Sequence, residues 1–159
     1  MPIRTADICD ELGEACSVAE PLFRDFGAHR AFTGPIETVQ VFEDNPLVRK
    51  LLATPGQGRV LVVDGGGSLR RALVGDRLAA LAIENAWAGL VVNGCIRDAE
   101  ALSSMPIGIK ALATCPRASD KRGEGRTGVT VRFAGIEFTP GHFVYADGDG
   151  LVVSARAPV

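Results

Sequence analysis

An α/β domain with a mixed, barrel-like sheet core is what the sequence predicts, and three observations predict it. Two short apolar runs, Val60–Val63 and Leu90–Val92, are continuous rather than alternating, as in strands covered on both faces. Between them Leu78, Leu81, Ala82 and Asn85 fall at helical spacing, so the unit reads strand–helix–strand. From residue 107 onward the pattern changes to period two broken by turns. The chain has 159 residues, 47% of them hydrophobic, without an internal repeat or linker. That suits a single domain over residues 1–159 with a full core.

The elements follow in order. Thr5 to Ala15 reads as a short helix with Ile8 and Leu12 on one face. Residues 36–42 read as a strand. Asp44 or Asn45 is placed to cap a helix that opens on Pro46 and carries Leu47, Val48, Leu51 and Leu52. A break at Pro55–Gly58 precedes a strand over 59–64. After three glycines comes a helix over 76–87, then a strand ending at Asn93-Gly94, then a short helix from Asp98 to Leu102. In the last third Val129, Val131 and Phe133 alternate, and Ile136 and Phe138 follow an Ala134-Gly135 turn. Val144 and Tyr145 are parted from Leu151–Val153 by Asp147-Gly148-Asp149-Gly150.

Composition excludes several functions. The formal net charge of -2 argues against a nucleic-acid ligand, which would need dense Lys and Arg. The one basic cluster, Lys121 to Arg126, reads as a solvated loop. No apolar run reaches the roughly 18–20 residues that span a bilayer, and Met1–Asp7 shows no apolar signal region, so a cytoplasmic protein without membrane contact is expected. Cys9, Cys16, Cys95 and Cys115 form no C-x-x-C, and only His29 and His142 could join them, so a zinc cluster is not expected. The thiols read as small core residues.

The stretch Asp64-Gly65-Gly66-Gly67-Ser68 follows a strand, as nucleotide loops do. Its spacing fits none of them. No Gly-Lys-Ser/Thr is present, and the dinucleotide pattern G-x-G-x-x-G lacks its last glycine. The plain alternative is a tight turn that brings the backbone close to another segment. Asp76 then stands at the start of the next helix, where it can act as an N-cap. The amides of Asp76, Arg77 and Leu78 face outward there and suit a carboxylate as well as a phosphate. The end of the following strand leads through Asn93-Gly94-Cys95-Ile96 into Arg97-Asp98. Parallel strands end on the same sheet edge, so Asp76, Arg97 and Asp98 converge. Two acids and an arginine suit a hard divalent cation bound to an anionic substrate. An Arg97–Asp76 ion pair with Asp98 capping its own helix is equally open on these residues alone.

Gly75-Asp76 and Arg97-Asp98 enclose 20 residues, a G-D-x20-R-D pattern. With it stand Pro21–Gly27, Phe42-Glu43-Asp44-Asn45, Arg59–Ser68, Ile107–Ala111 and Tyr145–Gly150. In these stretches the chain resembles the family of the regulator of ribonuclease activity A, which also contains class II aldolases acting on 4-hydroxy-4-methyl-2-oxoglutarate. The resemblance covers nearly the whole chain. It implies a swivelling β/β/α-type domain, a ring-shaped homotrimer and active sites between protomers. It further implies that Asp98 binds a divalent metal, Mg²⁺ or Mn²⁺, and that Asp76 holds a metal-bound water. Arg97 and the amides of Gly75, Asp76, Arg77 and Leu78 would hold the pyruvyl end of a small 2-oxo acid.

Two departures stand out. The longer aldolases carry a C-terminal segment whose acid reaches a neighbouring site, and no counterpart is expected before Val159. Pro140-Gly141-His142 stands where the family often has Pro-Gly-Asp. The activity implied is cleavage of 4-hydroxy-4-methyl-2-oxoglutarate to pyruvate, with oxaloacetate decarboxylation through the same enolate. The rival reading is a protein without chemistry that binds and inhibits ribonuclease E. A third, a menaquinone-pathway methyltransferase, conflicts with the glycine spacing.

Overall fold

The computed structural model of the chain describes residues 4–157. Its central layer is a parallel run of strands in the order β3 (Phe32–Gln40), β4 (Val60–Asp64), β6 (Gly89–Ile96), β7 (Gly108–Thr114). The short β5 (Ala72–Val74) also pairs with β6 in parallel. At one side β2 (Arg24–Asp25) adds antiparallel to β7. At the other, β3 continues into an antiparallel group with β11 (Phe143–Asp147), β12 (Gly150–Ser154) and β1 (Cys16–Val18). The nine-residue β3 is the seam between the two halves. Residues 32–35 pair with β11 and residues 36–40 with β4. β8 (Arg126–Thr127) lies against the end of β3, and β9 (Val131–Phe133) with β10 (Ile136–Phe138) forms a separate hairpin.

Alternation along the strands decides what covers each face. Val39, Leu61, Val63, Leu90, Val92, Ile109 and Ala111 point to one face. There they meet Val48 and Leu52 of α2 (Pro46–Leu52), Leu78, Ala79 and Ala82 of α3 (Asp76–Glu84), and Leu102 of α4 (Ala99–Leu102). Ile36, Val60, Val62 and Val91 point the other way, onto Val131, Phe133, Ile136 and Phe138 of the hairpin and onto Val144, Leu151 and Val153. The layers are therefore strand hairpin, sheet and helices. Burying the sheet on both faces explains why β4 and β6 read as unbroken apolar runs. A third, smaller cluster seats Ile8 of α1 (Thr5–Leu12) on Tyr145 and Val152. α1 is fixed there by Asp147, which accepts the Thr5 N–H at 2.8 Å and the Thr5 hydroxyl at 2.7 Å.

Several expectations are corrected. The first helix ends at Leu12, and Gly13–Ala15 continues as a 3₁₀ turn. The strand expected at 36–42 begins at Phe32 and ends at Gln40. The helix expected to run to 87 stops at Glu84, since Asn85 bonds back through its side chain to the Leu81 carbonyl and Ala86 turns to positive φ. Residues 108–114 are not the start of the hairpin region but form β7, which completes the parallel run. β7 carries a polar residue among its buried positions because its inward Lys110 is matched by charge rather than by apolar neighbours. Lys110 Nζ lies 3.0 Å from Asp25 and donates to the Asp147 carbonyl at 2.9 Å. Of the four free cysteines only Cys95 is a core residue; Cys9, Cys16 and Cys115 are half-buried.

Candidate active site

The glycine turn is closed on itself. Gly65 and Gly67 donate their N–H groups to the Asn93 carbonyl, and Gly66 donates to Asp64 Oδ1 at 3.0 Å. Ser68 N–H turns back to the Gly65 carbonyl. The amides that would cradle a phosphate are consumed within the protein. Gly66 and Gly67 have φ of 67° and 74°, and a side chain on Gly65 would meet Leu73 and the Asn93 carbonyl. Glu43 then ties the turn down, accepting from the Ser68 hydroxyl and from Arg70 Nε at 2.7 Å. The Ser68 hydrogen bond first, and the Arg70 contact second, hold the Glu43 carboxyl below the ordinary glutamate range.

Beyond the turn β5 and β6 end side by side, and Arg97 N–H donates to the Val74 carbonyl at 2.9 Å. This bond locks Gly75-Asp76 beside Arg97-Asp98. Gly75, rather than Asp76, is the N-cap of α3, and Asp76 is its first helical residue. The capping carboxylate comes from elsewhere in the chain: Asp98 Oδ2 accepts the Asp76 backbone N–H at 3.0 Å. A negative group at a helix start is favourable, because the unpaired amides and the helix dipole both face it. Among the described residues the Arg77 and Leu78 amides have no backbone acceptor. Asp98 is at the N-cap position of α4 but makes no side-chain bond to that helix, and it sits at φ 60°, ψ 39°. An aspartate tolerates this left-handed conformation at modest cost. Gly75 makes room for it, since a Cβ there would lie 2.6 Å from Asp98 Oδ2.

Arg97 forms no ion pair with Asp76 among the described residues, and its guanidinium reaches the Pro116 carbonyl at 3.4 Å. So neither half of the ion-pair alternative is found. Asp76, Arg77, Arg97 and Asp98 are all exposed, and with Gly75 and Leu78 they line one cleft of about 740 Å³. All the residues singled out by the G-D-x20-R-D spacing are therefore brought together.

Three further contributors escaped the sequence reading. Asn45, Arg49 and Lys121 line the same cleft. Asn45 bridges its walls, donating to the Leu73 carbonyl at 2.8 Å and accepting from Lys121 Nζ at 2.6 Å. Asn45 is the N-cap of α2 by position, without a side-chain bond to that helix. Asp44 caps nothing either. Its buried carboxylate accepts the N–H groups of Arg122, Gly123 and Glu124 at 2.6, 2.9 and 2.8 Å. The basic loop is solvated, as expected, but its backbone is held at this point.

Among the described residues no group of three or more His, Cys, Asp or Glu assembles as a ready-made metal cage. The donor set here is smaller, and it fits a cation that keeps most of its shell as water and substrate. Asp98 has one oxygen anchored by the Asp76 amide and the other free to ligate, with the Asp76 carboxylate in the same cleft. Mg²⁺ is commonly held by one or two carboxylates in this way.

A family model described as RraA-like, Aldolase/RraA, matches residues 5–153. The chain belongs to the RraA-like family. Its similarity extends to a Xanthomonas campestris pv. campestris protein named "Putative 4-hydroxy-4-methyl-2-oxoglutarate aldolase", 54% identical over 95% of this chain and 90% of that one. Among solved structures, the RNA-processing inhibitor RraA from Thermus thermophilis superposes with a TM-score of 0.96 at 46% identity, covering 100% of this chain and 96% of that one. A Geobacillus kaustophilus structure described as an S-adenosylmethionine:2-dimethylmenaquinone methyltransferase also gives 0.96, at 50% identity over 98% and 96% of the two chains. RraA-like chains thus carry names from three activities on one fold. No helix among the described residues is long and apolar enough to cross a membrane.

Proposed function

We propose that this RraA-like chain is a divalent-metal-dependent aldolase that cleaves 4-hydroxy-4-methyl-2-oxoglutarate to pyruvate and also decarboxylates oxaloacetate. The observation that supports it most is the Asp98 carboxylate held by the Asp76 amide, with Arg97 beside it in an open cleft. The names of relatives such as the Xanthomonas protein agree with it.

Asp98, with Asp76 nearby, would hold Mg²⁺ or Mn²⁺, which supplies Lewis-acid polarisation of the 2-oxo group when bound. The protein's own groups do the rest. The amides at the start of α3 receive the substrate carboxylate. Arg97 donates to the 2-oxo oxygen and steadies the negative charge that gathers there as the carbon–carbon bond breaks. Asp76 takes the 4-hydroxyl proton through a water, and the electron pair of that O–H bond becomes the new carbonyl. In oxaloacetate the departing group is already a carboxylate, so Arg97 is needed and the base is not. Active sites between the protomers of a homotrimer belong to the same proposal.

The test is pyruvate release from both substrates with Mg²⁺ and after chelation. Metal-dependent release supports the proposal, and none from either substrate overturns it. A second reading, inhibition of ribonuclease E through surface contacts, is supported by the likeness to the Thermus inhibitor. It needs none of Asp76, Arg97 and Asp98, so inhibition by a triple alanine variant would identify it.

A further inference from the structure

We propose that Arg49, supported by Lys121, forms a second anion subsite in the cleft that binds the distal carboxylate of a 2-oxo dicarboxylate, so that the protein selects diacids over monoacids. This rests on reading the cleft as a 2-oxo acid site.

The charge balance points that way. The cleft is lined by four cations, Arg49, Arg77, Arg97 and Lys121, against two acids, Asp76 and Asp98. The chain as a whole carries a net charge of -2, so the cleft is a local reversal of sign. One carboxylate is accounted for by the α3 amides, and the 2-oxo oxygen by Arg97. Among the cations not used in this way, Arg49 and Lys121 come from different segments, α2 and the loop after Ser119.

What marks Arg49 and Lys121 is their place on the cleft wall. Arg59, Arg70 and Arg71 each pair with an acid, Glu37, Glu43 and Asp120 respectively. Among the described residues the Arg49 guanidinium has neither an ion pair nor a hydrogen bond, although it lines a cleft. Its backbone is fixed, because its N–H donates to the Asn45 carbonyl at 3.2 Å. Lys121 Nζ is fixed as well, through Asn45 Oδ1 at 2.6 Å. A planar guanidinium with open donors can grip a carboxylate bidentately, and the located ammonium lines the same cleft. A cleft of about 740 Å³ is ample for a five- or six-carbon diacid. The structural role open to Arg49 is a favourable charge in the last turn of α2. That role changes stability and has no bearing on which acid binds.

The experiment is calorimetric binding in Mg²⁺ of 2-oxoglutarate and of 2-oxopentanoate, the latter having a methyl group in place of the distal carboxylate. The wild type is expected to prefer 2-oxoglutarate by about 10-fold or more. Arg49→Gln should weaken 2-oxoglutarate by about 10- to 100-fold and leave 2-oxopentanoate within about twofold. Arg49→Lys should fall between. No preference in the wild type, no binding of either acid, or an Arg49→Gln effect that is equal or absent for both acids overturns the subsite. The readout does not depend on turnover. Arg49-dependent preference without any cleavage would remove the aldolase reading and keep the subsite, and cleavage without that preference would do the reverse.

Discussion

The Asp98 side chain is bound to the Asp76 main chain, through Oδ2 and the amide N–H at 3.0 Å. One acid is thereby both a helix cap for α3 and a free oxygen in the cleft. Asp98→Ala removes both. It should abolish Mg²⁺-dependent pyruvate release and also lower stability by about 0.5–2 kcal/mol, the usual cost of a lost cap. Asp98→Asn should keep most of the stability and lose the metal response. Thermal melts with and without Mg²⁺, beside the activity assay, check both parts.

Gly75→Ala should act on the site rather than on the fold. The new methyl group would stand 2.6 Å from Asp98 Oδ2, an atom at the free end of a side chain that can move aside. A displacement of about 1 Å can cost on the order of 10² in rate. The expected result is a kcat/KM loss of that size with little change in Tm. A large fall in Tm with unaltered activity per folded molecule would contradict it.

Asp76→Asn separates base from binding. Cleavage of the 4-hydroxy acid should fall by roughly 10²–10⁴-fold, and oxaloacetate decarboxylation far less. The fold should hardly respond, since the Asp76 group that the structure uses is its backbone N–H. Arg97→Lys should impair both reactions, because lysine keeps the charge and loses the planar fork. Equal losses on the two substrates in Asp76→Asn would remove the proton-taking role.

Asp147 gives a pH prediction. Burial alone would raise its carboxyl, but the hydrogen bonds from Thr5 and Asp149 and the charge of Lys110 together outweigh it and bring it below its ordinary value near 3.8. A depressed folded pKa adds stability that is fully present above the unfolded pKa and lost as pH falls through the folded one. Acid should therefore loosen α1 first, as Thr5 loses its acceptor. In Asp147→Asn the dependence of Tm on pH below about 4 should be flatter than in the wild type.

Assembly is the last expectation. A homotrimer should be seen by light scattering at micromolar concentration, and a monomer there would remove sites between protomers from the proposal.

The geometry of the candidate site was legible where it is local. Gly75-Asp76 and Arg97-Asp98 end successive parallel strands, and parallel strands share an edge, so spacing alone brings them together. What spacing cannot show is partnership across the chain. Asp44 looks like a helix cap because it precedes Pro46, yet its carboxylate serves amides some eighty residues later. Arg49 looks like any solvent-facing helix residue until the loop carrying Lys121 closes the cleft beside it. β7 was misread because a buried lysine imitates a solvent-facing position, and only Asp25 and the Asp147 carbonyl explain it. The strands β1, β2 and β5 are two or three residues long, too short for any period to register.

The grip of Asp44 on residues 122–124 also bears on proteolysis. Lys121, Arg122 and Arg126 are exposed and would invite trypsin in a free loop. A protease must draw its target into an extended strand, and here three consecutive amides converge on one buried carboxylate that would first have to be abandoned. Cleavage after Lys121 or Arg122 should therefore be slow while the domain is folded, and nicking there would report that Asp44 has let go.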